Sequence, residues 1–180
     1  MHKLNMGDYL RAPHMSAVSR SRTLASPLPA APSAGTRASG KGGALTVAVT
    51  GAAGFLGANL IGSLEEDDRI GRIVAIDAAG VPSAGDKTRS YDVDLTQPAA
   101  EVRVAEIFAA ERVDAVAHLA FLAEPTHATA WAHELESVGT MHVTVAAKQA
   151  QVHKLVVWSQ TWLYGAHPSN PNFLTEKHPL

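Results

Sequence analysis

The chain of 180 residues contains no cysteine, which removes disulfides, thiolate metal ligands and cysteine nucleophiles from consideration. It also lacks an uninterrupted apolar stretch of the roughly 20 residues that a bilayer-spanning helix needs, so no membrane partner is expected. Aromatic residues make up only 6%, and Trp131, Trp158 and Trp162 are better read as core or crevice packing than as a base-stacking platform. Of the nine histidines, those at 127, 133, 142, 153, 167 and 178 are scattered along the chain, besides His118 and the N-terminal His2 and His14. His133-Glu134 is not followed by a histidine at the spacing of a zinc-binding helix, and no metal site is expected.

Charge of one sign is missing locally. Through residue 44 there are six Lys or Arg (Lys3, Arg11, Arg20, Arg22, Arg37, Lys41) against the single acid Asp8, a net +5. With −2 for the whole chain, the remainder carries −7, and an acidic fold argues against nucleic acid as partner. Residues 1–43 are rich in Ser, Ala, Pro, Gly and Arg and poor in large apolar side chains. Such a segment buries too little surface to offset its ordering entropy, so it is expected to be a disordered tail. Its Arg- and Ser-rich, acid-poor composition also resembles an organelle transit peptide, but its prolines and the lack of an amphipathic helix favour a tail, a linker or a wrongly chosen start codon. No apolar core of a secretory signal is visible, and a cytoplasmic location is expected.

What is present from residue 44 onward is a 46% hydrophobic chain overall, ample for a substantial core, in which short β-branched runs alternate with helical segments. That alternation predicts a parallel sheet covered on both faces, a doubly wound α/β fold. Strands are expected near 44–50, 72–77, 89–93, 113–119 and 153–159, and helices near 55–66, 98–111 and 127–150. The ligand crevice of such a fold lies at the carboxyl ends of the strands.

The run Thr50-Gly51-Ala52-Ala53-Gly54-Phe55-Leu56-Gly57 follows the apolar segment Ala44 to Val49 directly. Three glycines at these spacings let the chain turn out of a strand (Gly51), approach a pyrophosphate (Gly54) and pack a new helix closely on the sheet (Gly57). The amides of Phe55 and Leu56 would then face the phosphates at the positive end of the helix. Asp77 ends the second apolar run, 20 positions after Gly57. A carboxylate there accepts hydrogen bonds from an adenosine ribose and repels a 2′-phosphate, which favours NAD over NADP.

With these pieces the sequence resembles the extended short-chain dehydrogenase/reductase family, the NAD-dependent epimerases and dehydratases that act largely on nucleotide sugars. The GxxGxxG spacing suggests it, and further pieces follow in the family's order: Asp94-Leu95, His118-Leu119-Ala120, Gly139-Thr140 and Tyr164-Gly165. The resemblance covers about residues 44–180. It implies that Asp94, with Asp92 as rival, receives the adenine amino group, and that His118, Leu119, Ala120 and Phe121 line the pyrophosphate and nicotinamide ribose. A histidine that ends a buried strand is more often structural than catalytic, so His118 is expected to make contact and do no chemistry.

Departures from the family pattern matter as much. An asparagine commonly precedes the Gly-Thr pair by three positions, and Glu136 stands there. A Ser or Thr four residues before the Tyr-Gly pair assists catalysis in relatives, and Gln160 holds that place. Thr161, then Ser159, are the hydroxyls best placed to substitute; glutamine can donate a hydrogen bond but cannot share in a proton relay. The family's general acid-base is a tyrosine made acidic by a lysine four residues later and by the nicotinamide charge. None of Tyr9, Tyr91 and Tyr164 has a lysine at plus four, and position 168 is proline.

The resemblance therefore implies the cofactor part of a longer enzyme, truncated after its fifth strand and lacking the substrate region. Such a part is expected to be inactive alone, to form a homodimer in its full-length form, and to leave its fifth strand exposed. The alternative is a non-catalytic NAD-binding module: a sensor, an interaction protein or a remnant. In either case the cofactor is NAD; in the first the partner is a small molecule such as a nucleotide sugar.

Overall fold

A computed structural model describes residues 43–81, 85–122 and 126–178. The expected N-terminal tail lies outside them, apart from residue 43. Five strands, β1 (Leu45–Thr50), β2 (Ile70–Asp77), β3 (Thr88–Asp92), β4 (Ala115–His118) and β5 (Lys154–Val157), form one sheet in the order β3-β2-β1-β4-β5. Every neighbouring pair is parallel. The helices are α1 (Phe55–Glu65), α2 (Ala100–Glu111), α3 (Thr129–His133) and α4 (Gly139–Gln149). This is the doubly wound α/β architecture that the alternating pattern predicts.

The period of two in the strands explains the layering. In β1 and β2, Ala48, Val74 and Ile76 point to one face, where they join Val104, Ile107 and Phe108 of α2 and Val143, Ala146 and Ala147 of α4. Their neighbours Val49, Ile73 and Ala75 point to the other face and pack with Ile61 of α1. Most of these side chains are fully buried, so the sheet is a dry plate between two helical layers.

Element bounds differ from the sequence expectation by a residue or two at β3, α2 (which starts at Ala100 rather than 98) and β4 (Ala115–His118 rather than 113–119), and three further differences have a structural reason. The helix expected over 127–150 starts at Thr129 and passes through a π-helical turn, Glu134–Val138, before α4. A π turn of only five residues shifts the phase of the hydrophobic repeat over too short a stretch for the sequence pattern to show it. β5 ends at Val157 rather than 159, and a 3₁₀ turn, Thr161–Tyr164, follows. β2 begins at Ile70, two residues early, because Leu45↔Ile70 pairing with β1 extends it past a register shift.

At the amino ends of the strands Glu111, the last residue of α2, is tied to the sheet. Its side chain is 2% exposed and accepts from Arg72 Nη1 at 2.8 Å, from Arg89 Nη1 at 2.9 Å and from the Tyr91 hydroxyl. Burial raises the Glu111 carboxyl, but Tyr91 and the two guanidinium groups outweigh it and the net shift is downward. Burial, with the neighbouring Glu111 charge, pushes the Tyr91 phenol up to about 12. This cluster ties the end of α2 to β2 and β3.

Candidate functional site

The carboxyl ends of four strands are level. Thr50 of β1 pairs with Ile76 and with His118, and His118 in turn pairs with Val157. Because β2 and β3 lie on one side of β1 and β4 and β5 on the other, the loops after β1 and β4 diverge and open a crevice.

Two glycines of the β1–α1 turn are required by their surroundings. Gly51 has φ +70°, and a Cβ there would stand 2.6 Å from the Leu119 carbonyl carbon and 2.7 Å from the Ala120 nitrogen. A Cβ on Gly57 would stand 2.2 Å from the Gly51 carbonyl oxygen, backbone that cannot give way. Gly54 is the N-cap of α1 in extended conformation; it contributes no side-chain cap, and no acid occupies the first turn. The start of α1 thus offers backbone N–H groups and dipole to an anion with no protein oxygen competing from the cap. Phe55 and Leu56 sit in that first turn, the former 83% exposed.

Asp77 stands at the end of β2 facing the turn. Its Oδ2 accepts from the Ala53 N–H at 3.0 Å and its Oδ1 from the Ala79 N–H at 2.9 Å. The carboxylate is therefore oriented by two backbone donors and half-exposed to the crevice. A cleft of about 300 Å³ opens here, walled by Gly51, Gly54, Asp77, Asp94, Leu95, Leu119 and Ala120 among others. Of the residues singled out in the sequence, these seven come together on one surface with Phe121 and Trp131. Gly57 lies beneath it, packed on the turn.

Asp94 lines the cleft but is occupied. Its Oδ1 accepts from the Thr96 N–H at 2.9 Å and the Thr96 hydroxyl at 2.7 Å, and its Oδ2 from Gln97 Nε2 at 3.1 Å. The Thr96 hydroxyl, foremost among these bonds, holds its carboxyl below the usual value. Its rival Asp92 is exposed and off the cleft. Leu95 is buried, and its carbonyl accepts from His142 Nδ1 at 3.1 Å.

His118 is not on the cleft wall. It is fully buried, with Nδ1 2.6 Å from the Thr50 hydroxyl and Nε2 2.9 Å from the Thr140 hydroxyl. Thr140 donates its proton to the Glu136 carbonyl at 2.6 Å, so it accepts from His118 Nε2–H, and Nδ1 accepts from Thr50. One neutral tautomer satisfies the whole chain of bonds. Burial drives the imidazole down to about 4, so it stays uncharged at neutral pH. The histidine ties β1 and β4 to α4 below the cleft.

The residues that sequence reasoning missed are Leu135, Thr96 and Ala78; Leu135 closes the cleft together with Trp131, which the sequence reading had given to core or crevice packing. The i, i+4 spacing of Trp131 and Leu135 was the available signal.

A second cleft of about 340 Å³ adjoins the first at Phe121, which lines both. Its other walls are Glu136, Trp158, Ser159, Gln160 and Leu163. Ser159 thus reaches this cleft, while Thr161 begins the 3₁₀ turn and its side chain lies outside the described atoms. Glu136 is not idle in the place where an asparagine was expected: its Oε1 accepts from the Leu122 N–H at 3.1 Å. Among the described residues no group of three His, Asp or Glu side chains could hold a metal ion, and no helix is long and apolar enough to cross a membrane.

A parallel sheet with a glycine turn at its switch point and an acid ending the next strand defines a Rossmann-like dinucleotide-binding fold. The model of the NAD dependent epimerase/dehydratase family matches residues 47–180, and the chain belongs to that family. The cofactor expected from the sequence, NAD, is the one the family is described by. The Mycobacterium tuberculosis protein Rv0501 is 32% identical over 136 residues, covering 72% of this chain and 35% of the relative. The chain thus spans about a third of the length of that relative.

Solved structures share the fold. UDP-glucose 4-epimerase from Bifidobacterium longum in complex with NAD+ and UDP has a TM-score of 0.59 at 24% identity, with 74% of this chain and 42% of that one covered. dTDP-glucose 4,6-dehydratase from Bacillus anthracis in complex with NAD has a TM-score of 0.58 at 19% identity, covering 76% of this chain and 44% of that one. The family and these neighbours are enzymes, and the neighbours carry the same sheet.

Proposed function

We propose that this chain is the cofactor-binding part of an NAD-dependent oxidoreductase that moves hydride between the nicotinamide and a carbon of a nucleotide sugar or similar alcohol. One observation carries the reading: where β1 turns into α1 only glycine fits at Gly51 and Gly57, and the turn is hydrogen-bonded to an oriented Asp77 that lines the same cleft at the sheet's switch point. The α1 amides suit a pyrophosphate, and Asp77 suits a ribose diol and opposes a 2′-phosphate. Bound NAD would supply the hydride chemistry; the chain's own part is to hold and orient it. His118 stays neutral and structural, and Leu119 and Ala120 form the floor at the close approach to Gly51.

The acid-base is the open half. Within the 180 residues no tyrosine has a lysine at plus four, and Gln160 holds the place four residues before the Tyr-Gly pair where relatives carry a hydroxyl, although Ser159 lines the second cleft beside it. The second reading, a module that binds NAD without turnover, draws on those two facts. The longer relatives support the first, in which a region beyond these residues supplies the base.

Titration of the chain with NAD and with NADP, followed by tryptophan fluorescence because Trp131 lines the cleft, tests the cofactor assignment. Saturable NAD binding is expected, with NADP weaker by about tenfold or more and the gap narrowed in Asp77→Asn. Absence of saturable NAD binding by folded protein would overturn both readings. Turnover by the chain alone would dismiss the second.

A further inference from the structure

We infer that Glu136 determines specificity in the second cleft, admitting a neutral polyhydroxylated group and barring an anionic one. This deepens the reading above and rests on it. The cleft has two aromatic walls, Phe121 and Trp158, set edge to face with centroids 6.2 Å apart. Among the described residues its polar groups are the Glu136 carboxylate, the Ser159 hydroxyl and the Gln160 amide, and no lysine, arginine or histidine lines it. Its volume of about 340 Å³ is that of a small-molecule site. Aromatic faces with hydroxyl, amide and carboxylate partners match the alternating C–H and O–H surfaces of a sugar ring.

The placement of Glu136 is built in. It sits in the middle of the π-helical turn, half-buried, where the widened turn carries its side chain to the loop after β4. One oxygen accepts from the Leu122 N–H, and among the described residues no cation pairs with the carboxylate. A single neutral donor leaves the negative charge facing whatever enters. A second carboxylate or a phosphate in the cleft would meet it at short range, whereas a sugar hydroxyl would donate to it.

The test uses the full 180-residue chain saturated with NAD and two probes of one ring skeleton: methyl β-glucopyranoside, which is neutral, and methyl β-glucopyranosiduronate, which carries a carboxylate at C6. Saturation-transfer NMR titration is expected to give binding of the neutral probe and about tenfold weaker binding of the anionic one. In Glu136→Gln, whose amide oxygen still accepts from Leu122, the discrimination is expected to fall to within about threefold while NAD affinity is unchanged. Equal or tighter binding of the uronate by the native chain, no binding of either sugar to NAD-loaded protein, or discrimination that survives Glu136→Gln would each overturn the inference. Failure to load NAD at all would instead count against the proposed function, so the two failures are distinct.

Discussion

At Gly57 a methyl group would sit 2.2 Å from the Gly51 carbonyl oxygen and 2.8 Å from the Ala52 Cα, both backbone atoms of a turn wedged against β4. Gly57→Ala is therefore expected to destabilise the fold by about 1–3 kcal/mol, as overpacking does, and to abolish NAD binding; urea unfolding with a parallel NAD titration checks both. His118 gives a pH prediction of definite sign. Its folded value of about 4 lies below its ordinary 6.5, so the unfolded chain binds more protons between the two. Stability contributed by the neutral imidazole is fully present above about 6.5 and is lost as pH falls through about 4, on the order of 3 kcal/mol in all. Urea midpoints measured at pH 7.5 and at pH 4.5 should fall much less in His118→Gln than in the native chain. Glycine spacing was legible at this scale because only glycine avoids the backbone clash that a Cβ would meet. The full burial of His118 and the engagement of Asp94 by Thr96 and Gln97 were not, since both depend on which neighbours the fold supplies.

Two helices end without glycine at the position that most invites it. Arg112 after α2 has φ +55° and Gln151 after α4 has φ +56°, and the following amides, Val113 and Val152, return to Phe108 and Ala147 carbonyls in the manner of a Schellman close. A left-handed non-glycine costs about 1–2 kcal/mol, and glycine returns part of that in unfolded-state entropy. Gln151→Gly is accordingly expected to raise stability by roughly 0.5–1 kcal/mol, read from the urea midpoint. Helices closed by Arg and Gln were still located near the right residues, because apolar spacing in α2 marks its buried face regardless of its cap. The π turn escaped the same pattern, being a single turn, and within it Leu135 lines the first cleft and Glu136 the second.

Across the whole molecule the sheet ends at β3 on one side and β5 on the other, and among the described residues neither has a second strand neighbour. β5 is the less protected, with Val156 50% and Val157 40% exposed. An apolar unpaired edge templates association, so the 180-residue chain is expected to self-associate at high concentration and Val156→Lys to raise its monomer fraction in size-exclusion light scattering. A wild-type monomer throughout would remove the argument. The alternation of strands and helices, the glycine turn and the acid at the end of β2 were all set by the sequence alone, because each follows from a local period or a local steric demand. The tertiary structure alone decided that a neutral His118 bridges β1, β4 and α4, that Glu111 binds two arginines from different strands, and that Glu136 enters a cleft shared with Trp158 and Gln160. Those are meetings of residues distant in the chain, and only the packed sheet brings them within hydrogen-bonding reach.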